Sequence, residues 1–175
     1  MVQPYFSKYK LLYKFLIGLR LLDTSGDKES FWGIKELYNK KPDGIILSYD
    51  ITNKESFKVC QYYYCKKIKE LCKPNIKIIL IGNKKDLEDR REISIKEGND
   101  FALSNGYLFM ETSCKKNENV YEAFEKIIEA IFEEKKSNFL TKSEKISITN
   151  KSSKIPSYSI YDTYNKFKNT ICFII

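Results

Sequence analysis

The sequence predicts an α/β fold built on a mostly parallel sheet. Apolar runs with strand character alternate with segments of helical period. Two of those helical segments open on capping-box spacing. The size agrees, since 175 residues with 42% hydrophobic and 31% charged side chains make one globular domain with room for a core.

Taken in order, Leu11 to Leu22 is the most apolar stretch near the start, and Lys14 and Arg20 interrupt it. No small-residue cleavage site follows, so it reads as a buried strand pair, not a signal peptide or a membrane span. Ile17 to Asp23 is one strand of that pair. Gly44 to Asp50 (GIILSYD) is a buried strand, Ile76 to Gly82 (IKIILIG) another, and Tyr107 to Glu111 a short last one. Between them, Thr52 and Glu55 have capping-box spacing, and Phe57, Cys60, Tyr64, Ile68 and Leu71 share one helical face. Ser94 and Glu97 form a second box, opening a helix toward Ser104. Val120, Phe124, Ile127, Ile128, Ile131 and Phe132 make a third helical stripe. The aromatic residues and cysteines on these faces are core residues, except Cys114 and Cys172. Beyond Lys136 the periodicity fails, and Ser, Lys, Asn and Thr dominate as in a flexible extension.

Composition excludes several chemistries. There is no histidine, so Ser-His-Asp and Cys-His catalysis and His-based metal sites are ruled out. The five cysteines are odd in number and contain no Cys-x-x-Cys pair, which argues against a disulfide framework or zinc ribbon and for a reducing compartment. The net charge is +8. Half of it lies between Ser137 and Ile175, where Lys142, Lys145, Lys151, Lys154, Lys166 and Lys168 face only Glu144 and Asp162. Such a tail suits an anionic surface. No nucleic-acid recognition motif accompanies the charge, so nucleic acid is not expected as a partner.

Three polar motifs sit at predicted strand ends, where open α/β sheets bind ligands. Gly82-Asn83-Lys84-Lys85-Asp86-Leu87 follows the strand IKIILI. A carboxylate there can accept from two adjacent N–H donors, as guanine presents on one edge, and adenine's pattern does not match it. The lysine stem can cover a base face. Alone, Asn-Lys-x-Asp is a common polar turn. Glu111-Thr112-Ser113-Cys114-Lys115 ends the last strand, and Asp23-Thr24-Ser25-Gly26 ends the early one. Asp at a strand end suits Mg²⁺ through water, and a following Gly lets its N–H approach a phosphate.

With these motifs in this order the chain resembles a Ras-superfamily small GTPase, most closely the Rab branch. GIILSYDITNKESF, IGNKKDL and ETSCKKNENVYEAFEKI carry the resemblance, which covers residues 17–136. It implies a P-loop NTPase three-layer sandwich, GTP or GDP with Mg²⁺ as cofactors, and effector and regulator proteins as partners of a monomer. It implies that Asn83, Lys84 and Asp86 hold guanine and ribose, with Ser113, Cys114 and Lys115 in the loop that completes the base site. Asp23 would position Mg²⁺, and Gly26 would sense the γ-phosphate.

The departures are as informative. No Gly-x4-Gly-Lys-Ser/Thr run occurs anywhere in the chain. Asp27 stands where the family has the glutamine that orients the attacking water, and an acid beside the γ-phosphate repels it. Tyr5 stands where the switch threonine would be. Hydrolysis by the chain as written is therefore expected to be very slow or nil. In this family the first strand lies mid-sheet, and its loss would leave two strands with unpaired backbone groups. Tyr5 to Tyr13 could fill that gap; the preferred expectation is a longer protein whose first strand, phosphate loop and helix precede Met1. The expected organisation is an N-terminally truncated GTPase domain over 1–136 and a flexible basic tail over 137–175. The chain closes on Cys172-Phe173-Ile174-Ile175, a prenylation signal. One lipid binds membrane only marginally, and the tail lysines would supply the second signal. The function expected is a guanine-nucleotide switch in membrane traffic or signalling at a cytoplasmic membrane face. The alternative is a pseudo-GTPase interaction module without nucleotide cycling.

Overall fold

The computed structural model describes the backbone of residues 6–12, 15–24, 41–149 and 168–174, and the side chains of 21, 22 and 41–136. β1 (Phe6–Leu12) and β2 (Phe15–Thr24) form an antiparallel pair with Phe6 opposite Leu21 and Leu12 opposite Phe15. β3 (Gly44–Asp50), β4 (Lys77–Asn83) and β5 (Leu108–Glu111) run parallel to one another. β6 (Lys168–Ile174) lies between β2 and β3 and is parallel to both. The sheet order is β1-β2-β6-β3-β4-β5.

The gap foreseen between β2 and β3 is thus filled from the other end of the chain. Phe6–Leu12 stays at the sheet edge. The tail expected to be flexible from residue 137 departs from that reading twice: the last helix runs on to Thr149, and Lys168–Ile174 is a strand. Ile171, Cys172, Phe173 and Ile174 form the kind of short apolar run that a central parallel strand requires.

β3 and β4 are buried on both faces. Ile45, Leu47, Ile78 and Leu80 point to one side, and Ile46, Ile79 and Ile81 to the other, as the period of two demands. The first side is covered by α1 (Lys54–Lys58), a π-helical turn (Val59–Tyr64) and α2 (Cys65–Leu71), which follow one another without a break, and by α3 (Ile95–Ser104). Phe57, Cys60, Tyr64, Cys65 and Ile68 are buried there, as the helical face predicts. The second side is covered by α4 (Val120–Thr149) through Ala123, Ile127, Ile128, Ile131 and Phe132. Each large side chain of that stripe contributes about 1.5–3 kcal/mol by burial. Gly44 lets α4 sit close, because a Cβ there would meet Ile131 at 2.6 Å.

The caps follow the sequence with one correction. Ser94 and Glu97 make the reciprocal capping box of α3. α1 is capped by Asn53, whose side chain accepts from the Ser56 N–H at 3.1 Å, not by Thr52. Thr52 instead donates its hydroxyl to Asp50 Oδ1 at 2.7 Å.

Candidate functional site

Parallel strands bring their C-terminal ends to one edge, so Asp50, Asn83 and Glu111 arrive together. Two loops leave that edge and lock onto each other. The Lys85 N–H donates to the Thr112 carbonyl at 3.0 Å, and the Thr112 N–H to the Gly82 carbonyl at 2.9 Å. Asn83 Oδ1 accepts from the Lys84 N–H at 2.8 Å and from the Thr112 hydroxyl at 3.3 Å. Lys84 takes a left-handed conformation, φ 65°, which turns the chain into the 3₁₀ segment Lys85–Arg90. Non-glycine residues rarely adopt this region, and the two hydrogen bonds at Asn83 hold it here.

The two loops meet at Asp86. Ser113, fully buried, donates its hydroxyl to Asp86 Oδ1 at 2.6 Å. That bond holds the Asp86 carboxyl below its ordinary range, with Lys115 and Lys116 adding to the effect. Ser113 Oγ also accepts from the Lys116 N–H at 3.1 Å, and Ser113 and Glu118 exchange backbone bonds across the loop. Asp86 is therefore an ionised, oriented acceptor. A carboxylate has about four acceptor positions, so one bond to Ser113 leaves capacity for a pair of ligand N–H donors.

The other expected residues are placed as follows. Asn83, Lys84, Asp86 and Ser113 come together at the ends of β4 and β5. Cys114 and Lys115 follow Ser113 on the exposed rim, and Cys114 is a free thiol. The Lys84 ammonium lies on Asp50 Oδ2 at 2.6 Å. Burial raises the Asp50 carboxyl, but the Lys84 and Thr52 hydrogen bonds outweigh it and hold it low. Asp23 is the penultimate residue of β2, at the same edge of the sheet; its side chain lies outside the described residues. Gly26, Asp27 and Tyr5 lie outside them as well. Cys172 is inside β6, level with Leu22 and Ile45. Among the described residues no cluster of acids and cysteines could hold a metal ion.

Motif reading missed the supports. Arg91 forks onto Glu111 at 2.7 and 2.8 Å and onto Glu88 at 2.8 and 2.6 Å. It also donates to the Ile93 carbonyl at 2.9 Å. Asn119 Nδ2 holds the Glu111 carbonyl at 2.9 Å, and Lys85 pairs with Glu118. These ties fix the distance between the two loops.

The guanine side of a nucleotide site fits these residues, because the buried Ser113 hydroxyl fixes the Asp86 carboxylate and leaves it acceptor capacity. A largely parallel sheet covered by helices on both faces, with a polar cluster at its strand ends, is the architecture of the GTPase-fold class. The comparisons agree. The chain belongs to the Ras family, whose model matches residues 7–133. It is 40% identical over 115 residues to Ras-related protein Rab-3 of Caenorhabditis elegans, covering 66% of this chain and 52% of that protein. It is 41% identical over 115 residues to Ras-related protein Rab-3C of Bos taurus, covering 66% and 50%. The chain spans about half the length of these curated relatives. It is a Rab-like member of a family that binds guanine nucleotide with Mg²⁺. None of its described helices is long and apolar enough to cross a membrane.

Proposed function

We propose that this chain is a guanine-nucleotide-binding switch of Rab type, acting in membrane traffic or signalling at a cytoplasmic membrane face. The observation that carries the reading is the 2.6 Å bond from Ser113 to Asp86, which aims a low-pKa carboxylate out of two mutually braced loops. In this reading Asp86 accepts the two adjacent donors of guanine, and Asn83 keeps the Lys84 turn in shape. Cys114 and Lys115 lie along the base. Asp23 serves Mg²⁺ and Gly26 the γ-phosphate. Bound Mg²⁺ and nucleotide would supply the charge that orders the neighbouring loops. A prenyl group on Cys172, with the tail lysines, would anchor the chain as a monomer to an anionic membrane where effectors and regulators meet it.

Titration of the purified 175-residue chain with fluorescent GDP tests this. Saturable binding, displaced at least about tenfold better by GDP than by ADP and lost in Asp86→Ala, is the expected result. A folded chain that takes up neither nucleotide would overturn the reading. That outcome would favour a pseudo-GTPase interaction module. The absence of a Gly-x4-Gly-Lys-Ser/Thr run from these 175 residues, and Asp27 at the glutamine position, support this second reading.

A further inference from the structure

The segment that carries the lipidation signal is also the strand that closes the sheet. β6 pairs with β2 from Gly18↔Lys168 to Thr24↔Ile174, and with β3 from Gly44↔Ile171 to Leu47↔Ile174. Cys172 is level with Leu22 on one side and Ile45 on the other, and both are buried in the core. Without β6, the facing edges of β2 and β3 would carry unpaired N–H and C=O groups. A transferase must grip the peptide around its acceptor thiol. The backbone of Ile171–Ile174 cannot satisfy an enzyme cleft and two neighbouring strands at once. Both faces of the adjacent β3 are packed by helices, so a lipid of about fifteen carbons has no room in the closed sheet.

We propose that insertion of Lys168–Ile174 between β2 and β3 and prenylation of Cys172 exclude one another, so that this segment is a switch between sheet strand and membrane anchor. The proposal rests on the lipid-anchor part of the function proposed above. In the inserted state the sheet is continuous and the acceptor is withheld. In the released state the Cys172 sulfur attacks the allylic carbon of an isoprenoid diphosphate. A C–S bond forms, the C–O bond to diphosphate breaks, diphosphate leaves with the electron pair, and the thiol proton passes to solvent. The product is a thioether, with no change of oxidation state. A prenylated chain of this kind could not re-enter the slot, so release would commit it to the anchored form.

Two measurements on the full unmodified chain test the switch. The first is amide hydrogen exchange resolved over residues 168–174. The second is transfer from farnesyl and geranylgeranyl diphosphate by the matching prenyltransferases. The substrates compared are the chain, its Thr170→Pro variant and a free peptide of residues 166–175. Thr170 lies in the strand opposite Arg20 and outside the four-residue signal, so proline there blocks pairing and spares the motif. Amides of 171–173 should exchange about 100-fold or more slower than in the peptide. Prenyl transfer to the chain should be at least tenfold slower than to the peptide, and Thr170→Pro should approach the peptide. Exchange as fast as in the peptide would refute insertion. Protected amides with equal transfer to chain and peptide would refute exclusion, whether or not the proline variant folds. If the free peptide itself is no substrate, the lipid-anchor reading fails and the switch falls with it, while the exchange data still report on the strand.

Discussion

Replacing Arg91 by alanine should cost about 3–5 kcal/mol, because it strands the buried Glu111 carboxylate. The two arms of the Arg91 fork are unequal. The Glu111 side chain is 6% exposed and Arg91 13%, whereas Glu88 is 59% exposed. The outer arm is a surface pair that solvent screens. The inner arm is a desolvated bidentate pair, and removing one partner leaves the other charge without compensation. The Ile93 carbonyl also loses a donor, worth roughly 1 kcal/mol. Glu88→Ala should therefore cost the least of these changes, and Arg91→Lys should fall between, since an ammonium cannot fork. Replacing both Arg91 and Glu111 by leucine should recover most of the loss, because no buried charge remains. Urea unfolding followed by circular dichroism reads all four variants against a domain stability of about 5–15 kcal/mol. If Arg91→Ala costs no more than Glu88→Ala at an unchanged slope, the inner arm is not a structural support and the reasoning is wrong.

Three further outcomes are expected. Ser113→Ala should weaken guanine-nucleotide binding by on the order of tenfold and raise the Asp86 carboxyl toward its ordinary range, read by fluorescence titration and carboxyl NMR; unchanged values for both would deny Ser113 its orienting role. Asp43 sits 2.8 Å from Lys73 and 2.8 Å from Lys135; burial raises its carboxyl, but those hydrogen bonds outweigh it and hold it below 3.8. A carboxyl depressed on folding contributes stability above its unfolded pKa and loses it as pH falls through the folded one. The stability gap between wild type and Asp43→Asn should therefore narrow as pH is lowered below about 4, and a gap constant with pH would exclude the ion pairs as its cause. Gly98→Ala should destabilise by about 1–3 kcal/mol despite alanine's helix preference, because its Cβ would meet Tyr49 Oη at 2.4 Å and the Phe109 ring at 2.9 Å. Tyr49→Phe should be close to neutral alone, as the buried hydroxyl has no hydrogen-bond partner, and should relieve Gly98→Ala; failure of that rescue in thermal melts would place the clash elsewhere.

What could be read from the chain was local. Ser94 and Glu97 specify a cap within four residues, and β3 and β4 show their burial as unbroken apolar runs. Asp86 and Ser113 were legible because each stands at a fixed place in a strand-end motif. The α1 cap was misread by one residue, since Thr52 and Asn53 can both cap and only the contact with Asp50 takes Thr52 out of the competition. The Arg91–Glu111 pair has no local signature; it exists only once β5 lies beside the 3₁₀ segment. β6 was hidden for the same reason. Asn169 to Ile174 reads as a polar tail ending in an apolar patch, and nothing nearby says that its partners are β2 and β3.

The position of β6 has a consequence for how the molecule assembles. A ribosome delivers β1 to β5 and the helices between them before Lys168 is made, so a strand in the middle of the sheet is synthesised after the strands on both sides of it. Contacts such as Gly18 with Lys168 join distant parts of the chain, and loop closure over that span must precede any gain from pairing. The nascent chain would wait with two open strand edges facing each other, a state that invites pairing with a neighbour. Closure by β6 is then slow compared with formation of the β3–β4–β5 unit, and chains cut at Thr149 should be more prone to aggregate than chains that carry Lys168–Ile174.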